Sequence, residues 1–155
     1  MRLNLIVDNS GSMIEGGRRF IERTVVRQFG RYLRTGQIDA DARLYLLSND
    51  LAETSWRPDE DVPAAILSPS GHLNVDALIS APFTADDKIV LITDFCLGTE
   101  ENRSVREWMA RQTTDRVLVV QIGEGVSESK ANDGIFAVEQ IEGLLPLLKA
   151  QEIHA

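Results

Sequence analysis

Short apolar runs alternate along the chain with longer stretches in which apolar residues recur every three or four positions. Leu3-Asn4-Leu5-Ile6-Val7 is a compact, mostly apolar run of the kind a buried parallel strand shows. After it, Ile21, Val25, Phe29 and Leu33 recur every fourth residue and predict a helix with those side chains buried. Arg19, Arg23, Arg27 and Arg31 recur at the same spacing, which predicts an arginine stripe in solvent, and Gly36 supplies a stop signal. Residues 42–48 and 53–56 read as two strands joined through a turn at Asn49-Asp50, hence a hairpin with one antiparallel member. Pro58, Pro63 and Pro69 mark residues 57–71 as loop, with one helical turn near 64–67.

A helix is expected over 74–80, with Val75, Leu78 and Ile79 inward and Pro82 closing it. Residues 88–93 form the clearest central strand, ending in the acid Asp94. A helix around Trp108 and Met109 over 104–112 and a buried strand over 116–122 follow. Residues 124–134 read as a polar loop, 135–138 as a further strand or edge, and 139–151 as a last helix kinked at Pro146. Strands interleaved with helices imply a three-layer, doubly wound (Rossmann-like) α/β fold: a mostly parallel sheet, one antiparallel strand, helices on both faces.

At 155 residues the chain is one domain's worth, taken as a single domain over 1–155. No run approaches the ~18 apolar residues that a membrane helix needs. The start lacks the pattern of a secretory signal, and the single Cys96 cannot close an intramolecular disulfide; both features favour the cytoplasm. Cys96 reads as a small buried apolar residue, no basic neighbour in sequence being present to activate its thiol. A formal net charge of −8 argues against nucleic acid as a partner. That charge is uneven: residues 14–36 hold six arginines against Glu15 and Glu22, a local +4 that leaves −12 elsewhere. The plain reading of the stripe is a solvated face, partly neutralised by the pairs Glu15 with Arg19 and Arg18 with Glu22; the functional one is a second docking surface for an acidic partner or anionic headgroups.

The richest chemistry lies in Asp8-Asn9-Ser10-Gly11-Ser12, directly after the first strand. One Asp or Ser there would serve as a helix cap. Three such residues instead bring several hard oxygens together at the carboxyl end of a strand, where α/β sheets bind ligands and where a hard cation such as Mg²⁺, Mn²⁺ or Ca²⁺ fits.

This Asp-x-Ser-x-Ser core, with Ile92-Thr93-Asp94-Phe95 standing where a Thr-Asp-Gly segment would, resembles the von Willebrand factor A (vWA) family and its metal-ion-dependent adhesion site (MIDAS). The order of elements follows that fold over nearly the full chain. The resemblance implies metal ligation by Asp8, Ser10, Ser12 and Asp94, with Mg²⁺ the first choice and Mn²⁺ or Ca²⁺ alternatives. In the family a threonine before the middle helix also contributes. Aligned on Ala77-Leu78, its place falls to His72, a departure that leaves three outcomes: ligation by His72, substitution by Ser70 or water, or a degenerate site. The implied activity is metal-dependent protein–protein binding, a partner's Asp or Glu completing the coordination. A short, Cys-poor chain of this kind resembles bacterial cytoplasmic vWA adaptors working with a MoxR-type AAA+ ATPase or in related multi-protein systems.

Catalysis is the rival. A metal-dependent phosphohydrolase with Asp8 as nucleophile would carry a second Asp two residues later, where Ser10 stands. Ser10, His72 and Asp94 can be drawn as a hydrolase triad, but the opening turn is better explained by a metal. The expectation is therefore a binding module and not an enzyme, with Arg19, Arg23, Arg27 and Arg31 as a second partner surface.

Overall fold

The computed structural model describes residues 1–123 and 134–149. Its centre is a six-stranded sheet in the order β3-β2-β1-β4-β5-β6. The strands are β1 (Arg2–Asp8), β2 (Asp41–Leu47), β3 (Leu51–Thr54), β4 (Lys88–Thr93), β5 (Val117–Gln121) and β6 (Ile135–Ala137). All neighbouring pairs are parallel except β2 with β3, the expected hairpin.

Apart from the buried Asn4, the central parts of β1 and β4 are apolar on both faces because both faces are covered. Leu3, Leu5 and Val7 join Val90, Ile92, Leu118 and Val120 under helix α1 (Arg18–Arg34), which contributes Val25, Val26, Phe29 and Tyr32. Ile6, Ile89, Leu91, Val117 and Val119 face the other way, onto helices α2 (Val75–Ile79) and α3 (Thr99–Ala110), chiefly through Val75, Leu78, Val105 and Trp108. Two apolar layers thus enclose the sheet, as the interleaved pattern predicted.

Several elements depart from expectation. The buried face of α1 is rotated from the predicted one: Ile21 is exposed, whereas Glu22, Val25, Val26, Phe29 and Tyr32 are buried. A strict four-residue repeat drifts around a helix of 3.6 residues per turn, so the true stripe alternates steps of three and four. Glu22, assigned to the solvated side, sits inside. Helix α3 starts five residues before the predicted position, after the extended Gly98, with Glu100 and Glu101 in its first turn. Acids there meet the positive end of the helix dipole, a signal that outweighs the lack of apolar residues in that turn. The last segment, Val138–Leu148, winds as 3₁₀ helix with Pro146 inside it, which suits a residue that cannot donate an amide to an α-helical ladder. Residues 124–133 of the expected polar loop, and 150–151 of the expected last helix, lie outside the described residues.

Asp8 pairs in register with Leu47, Val7 with Ile92, and Thr93 with Gln121, so β1 and β4 end level at one edge. From β1 the chain goes first to β2 on one side, then returns to β4 on the other. The crevice left where the two directions part lies outside the carboxyl ends of β1 and β4, and there such sheets bind ligands. Asp8 closes β1 and Asp94 follows β4.

Candidate metal centre

The turn after β1 is tied into the fold from both sides. The Asn9 amide donates to the Leu47 carbonyl (2.8 Å), Gly11 to Gly71 (2.9 Å), and Ser70 back to the Asn9 carbonyl (2.9 Å). Gly71 has φ +81°, and a Cβ there would lie 2.9 Å from the Asn49 side chain, so the close approach requires glycine. Beyond Ser10 the chain enters a 3₁₀ segment, Gly11–Gly17, before α1 begins.

Within this frame four oxygen-bearing side chains form a continuous row. Asp8 Oδ1 accepts from the Ser10 amide (2.9 Å) and hydroxyl (2.6 Å); Ser10 Oγ lies 3.3 Å from Ser12 Oγ; Ser12 Oγ donates to Asp94 Oδ2 (2.9 Å). Thr93 Oγ1 donates to the other Asp8 oxygen (2.5 Å) and accepts from the Phe95 amide (3.1 Å), while Asp94 Oδ1 accepts from Cys96 N (3.0 Å). The sequence-predicted quartet Asp8, Ser10, Ser12 and Asp94 is therefore assembled at one place, with Asp8, Ser10 and Asp94 buried.

Burial pushes the Asp8 carboxyl above its usual range; hydrogen bonds from Ser10 and Thr93 pull the other way, and Asp94 adds repulsion. Arg18, the first residue of α1, sends Nη1 to Asp94 Oδ2 and to the Ser12 carbonyl, both at 3.2 Å. It also approaches Glu15 (3.8 Å), so the predicted pairing of Arg18 with Glu22 is not formed. Glu22 is fully buried, and neither carboxylate oxygen has a hydrogen-bond partner among the described residues. Desolvation first, then Asp8 and Asp94, push it up to about 10.

His72 does not join the row. Its exposed ring faces Glu101 (Nε2 to Oε1, 3.3 Å), and its backbone amide donates to Asn49 Oδ1 (3.1 Å). It lines a separate cleft of about 600 Å³ between its loop and the starts of α2 and α3. Cys96, expected buried, is exposed, and desolvation together with Asp94 pushes its thiol up, which opposes reactivity. The arginine stripe is broken up: Arg19 and Arg23 lie 4.8 and 5.5 Å from the Phe20 ring centre, Arg27 pairs with Asp61 (3.2 Å), and Arg31 is exposed.

Sequence reasoning missed the parts played by Thr93, Arg18 and Glu22. Thr93 stood in the quoted Thr-Asp segment without a role; nothing local signals where Arg18 reaches. Glu22 had a signal, since it lies three and four positions before Val25 and Val26 on the apolar stripe.

The donor set suits a hard divalent cation: two carboxylates and two hydroxyls, all oxygen, at the mouth of the crevice. Among the described residues no three His, Cys, Asp or Glu side chains converge to hold an ion unaided, so the serine hydroxyls are integral to any such site.

No family model and no curated protein sequence matches the chain. Solved structures do match its fold. The manganese-loaded TRAP protein of Plasmodium vivax superposes with a TM-score of 0.59 at 15% identity, covering 96% of this chain and 73% of that one. An aerotolerance-related membrane protein of Bacteroides fragilis gives 0.58 at 12%, covering 96% of both chains. Proximal thread matrix protein 1 of the mussel byssus gives 0.58 at 14%, and this chain spans 46% of its length; another structure of that protein, with a zinc-occupied MIDAS motif, gives 0.52 at 12%. The chain thus has a von Willebrand factor A-like fold. No helix among the described residues is long and apolar enough to cross a membrane.

Proposed function

We propose that this domain is a metal-dependent protein-docking module, in which Asp8, Ser10, Ser12 and Asp94 hold one divalent cation and a partner's Asp or Glu completes its coordination. The observation that carries the reading is the unbroken row of oxygens from Asp8 through Ser10 and Ser12 to Asp94 across the β1–β4 crevice. When bound, the cation would supply a Lewis-acidic point that attracts a carboxylate from outside. The chain's own residues do the rest: Thr93 and the Ser10 amide orient Asp8, and the contacts with Leu47 and Gly71 fix the turn.

Support for a divalent ion comes from fold neighbours of which one is manganese-loaded and another has zinc in its MIDAS motif. Mg²⁺ is the cellular ion this oxygen set favours. Binding without catalysis is preferred because Ser10 occupies the position a phosphohydrolase would give its general acid, and the His72 ring pairs with Glu101. A cytoplasmic adaptor role beside a MoxR-type AAA+ ATPase is the finer reading, resting on the resemblance of the motifs.

Calorimetric titration of chelator-treated protein with Mn²⁺ and Mg²⁺ tests the site. One ion bound by the wild type and none by Asp8→Ala or Asp94→Ala is the expected result. A wild type that binds neither ion, or variants that bind as well as it does, would overturn the reading.

A further inference from the structure

Glu22 occupies a place on α1 where the apolar stripe calls for a hydrophobic side chain. Its neighbours on that face, Val25, Val26 and Phe29, are core residues. Placing a carboxyl group among them without a hydrogen-bond partner is costly, and an apolar residue of similar size would avoid the cost. The residue is nonetheless glutamate, fully buried, with both oxygens unpartnered among the described residues and with Asp8 and Asp94 close enough to repel it. Arg18, one turn earlier, makes its hydrogen bonds to Asp94 and the Ser12 carbonyl, not to Glu22.

We propose that Glu22 is a third anionic component of the cation site, acting from the helix side of the Asp8 and Asp94 pair as a charge that raises affinity for a divalent ion, without ligating it directly. This deepens the docking-module reading and rests on it. The charge count supports it: leaving aside the exposed Glu15, the buried acids Asp8, Asp94 and Glu22 against Arg18 leave a deficit of two when all are ionised, which one divalent cation cancels. Direct ligation is excluded from the proposal because no three such groups converge on a common point among the described residues. The ionisable groups that face Glu22 are Asp8 at the end of β1 and Asp94 after β4, with Arg18 on its own helix beside them. On cation entry Glu22 is drawn to its charged form, its proton leaving to solvent, so that ion uptake and the release of one proton go together.

The test uses Mn²⁺ on the whole chain. Wild type, Asp8→Ala, Glu22→Gln and Glu22→Leu are titrated calorimetrically near pH 7 in two buffers of different ionisation enthalpy. Gln keeps the shape and removes the charge, and Leu suits the apolar surroundings should Gln fold poorly. The expected result is one Mn²⁺ bound by wild type with close to one proton released; at least roughly tenfold weaker binding by either Glu22 variant, as for loss of a nearby charge in a partly buried site; and one proton fewer released. Glu22 variants that bind Mn²⁺ within about twofold of wild type and release as many protons would overturn the role of Glu22 and leave the docking site standing. A wild type that binds no Mn²⁺ would remove both readings, and the Asp8→Ala variant separates the two failures.

Discussion

At the scale of single residues, the site is governed by how burial and hydrogen bonding act on three acids. Asp8 is 1% exposed, yet its oxygens receive two hydroxyls and an amide, so much of what it loses in hydration is returned. Glu22 is as deeply buried and receives nothing among the described residues. Its pKa in the folded chain, about 10, stands above the ordinary value of 4.5, so the folded state binds the proton more tightly than the unfolded one. The favourable contribution is then complete below pH 4.5 and is lost progressively as pH rises toward 10. Urea denaturation of chelator-treated protein between pH 5 and pH 9, roughly the centre of that window, should show stability falling with pH in wild type and a shallower fall in Glu22→Gln. Equal slopes would mean that Glu22 is not the group responsible.

Among elements, the decisive contact is between two loops. The turn after β1 is held by the segment Ser70-Gly71, which reaches it only because Gly71 adopts a left-handed conformation against Asn49. Gly71→Ala would place a methyl group against the Asn49 side chain and force alanine to φ +81°. The expected outcome is a loss of about 1–2 kcal/mol in urea denaturation, the cost of one left-handed non-glycine residue, together with weaker Mn²⁺ binding through displacement of Gly11 and Ser12. Stability unchanged from wild type would show that the loop accommodates the methyl group elsewhere. Helix α1 was legible as a helix but not in its rotation. The arginines and apolar residues follow the same four-residue repeat, and only packing on the sheet decides which of the neighbours Ile21 and Glu22 goes inside.

For the whole molecule, a cation that binds the folded chain and not the unfolded one must stabilise it. At a free Mn²⁺ concentration about a hundred times the dissociation constant, the melting temperature should rise by roughly 5–10 °C, and excess chelator should reverse the rise. A melting curve indifferent to both would contradict the site.

Local pattern alone carried the class of fold, the hairpin and the position of Asp8, Ser10, Ser12 and Asp94 in the turns that follow two strands. These are written in local pattern: apolar runs between helical repeats, and side chains whose chemistry needs few neighbours. Packing between distant segments settles the rest: His72 pairs with Glu101, Cys96 is exposed, Arg18 reaches Asp94, and Glu22 is enclosed where Asp8 and Asp94 repel it. Each depends on which surfaces meet across residues distant in sequence, such as the 76 positions between Arg18 and Asp94. Burial, the quantity that sets the energy of a charge, is a property of those meetings and not of any one segment.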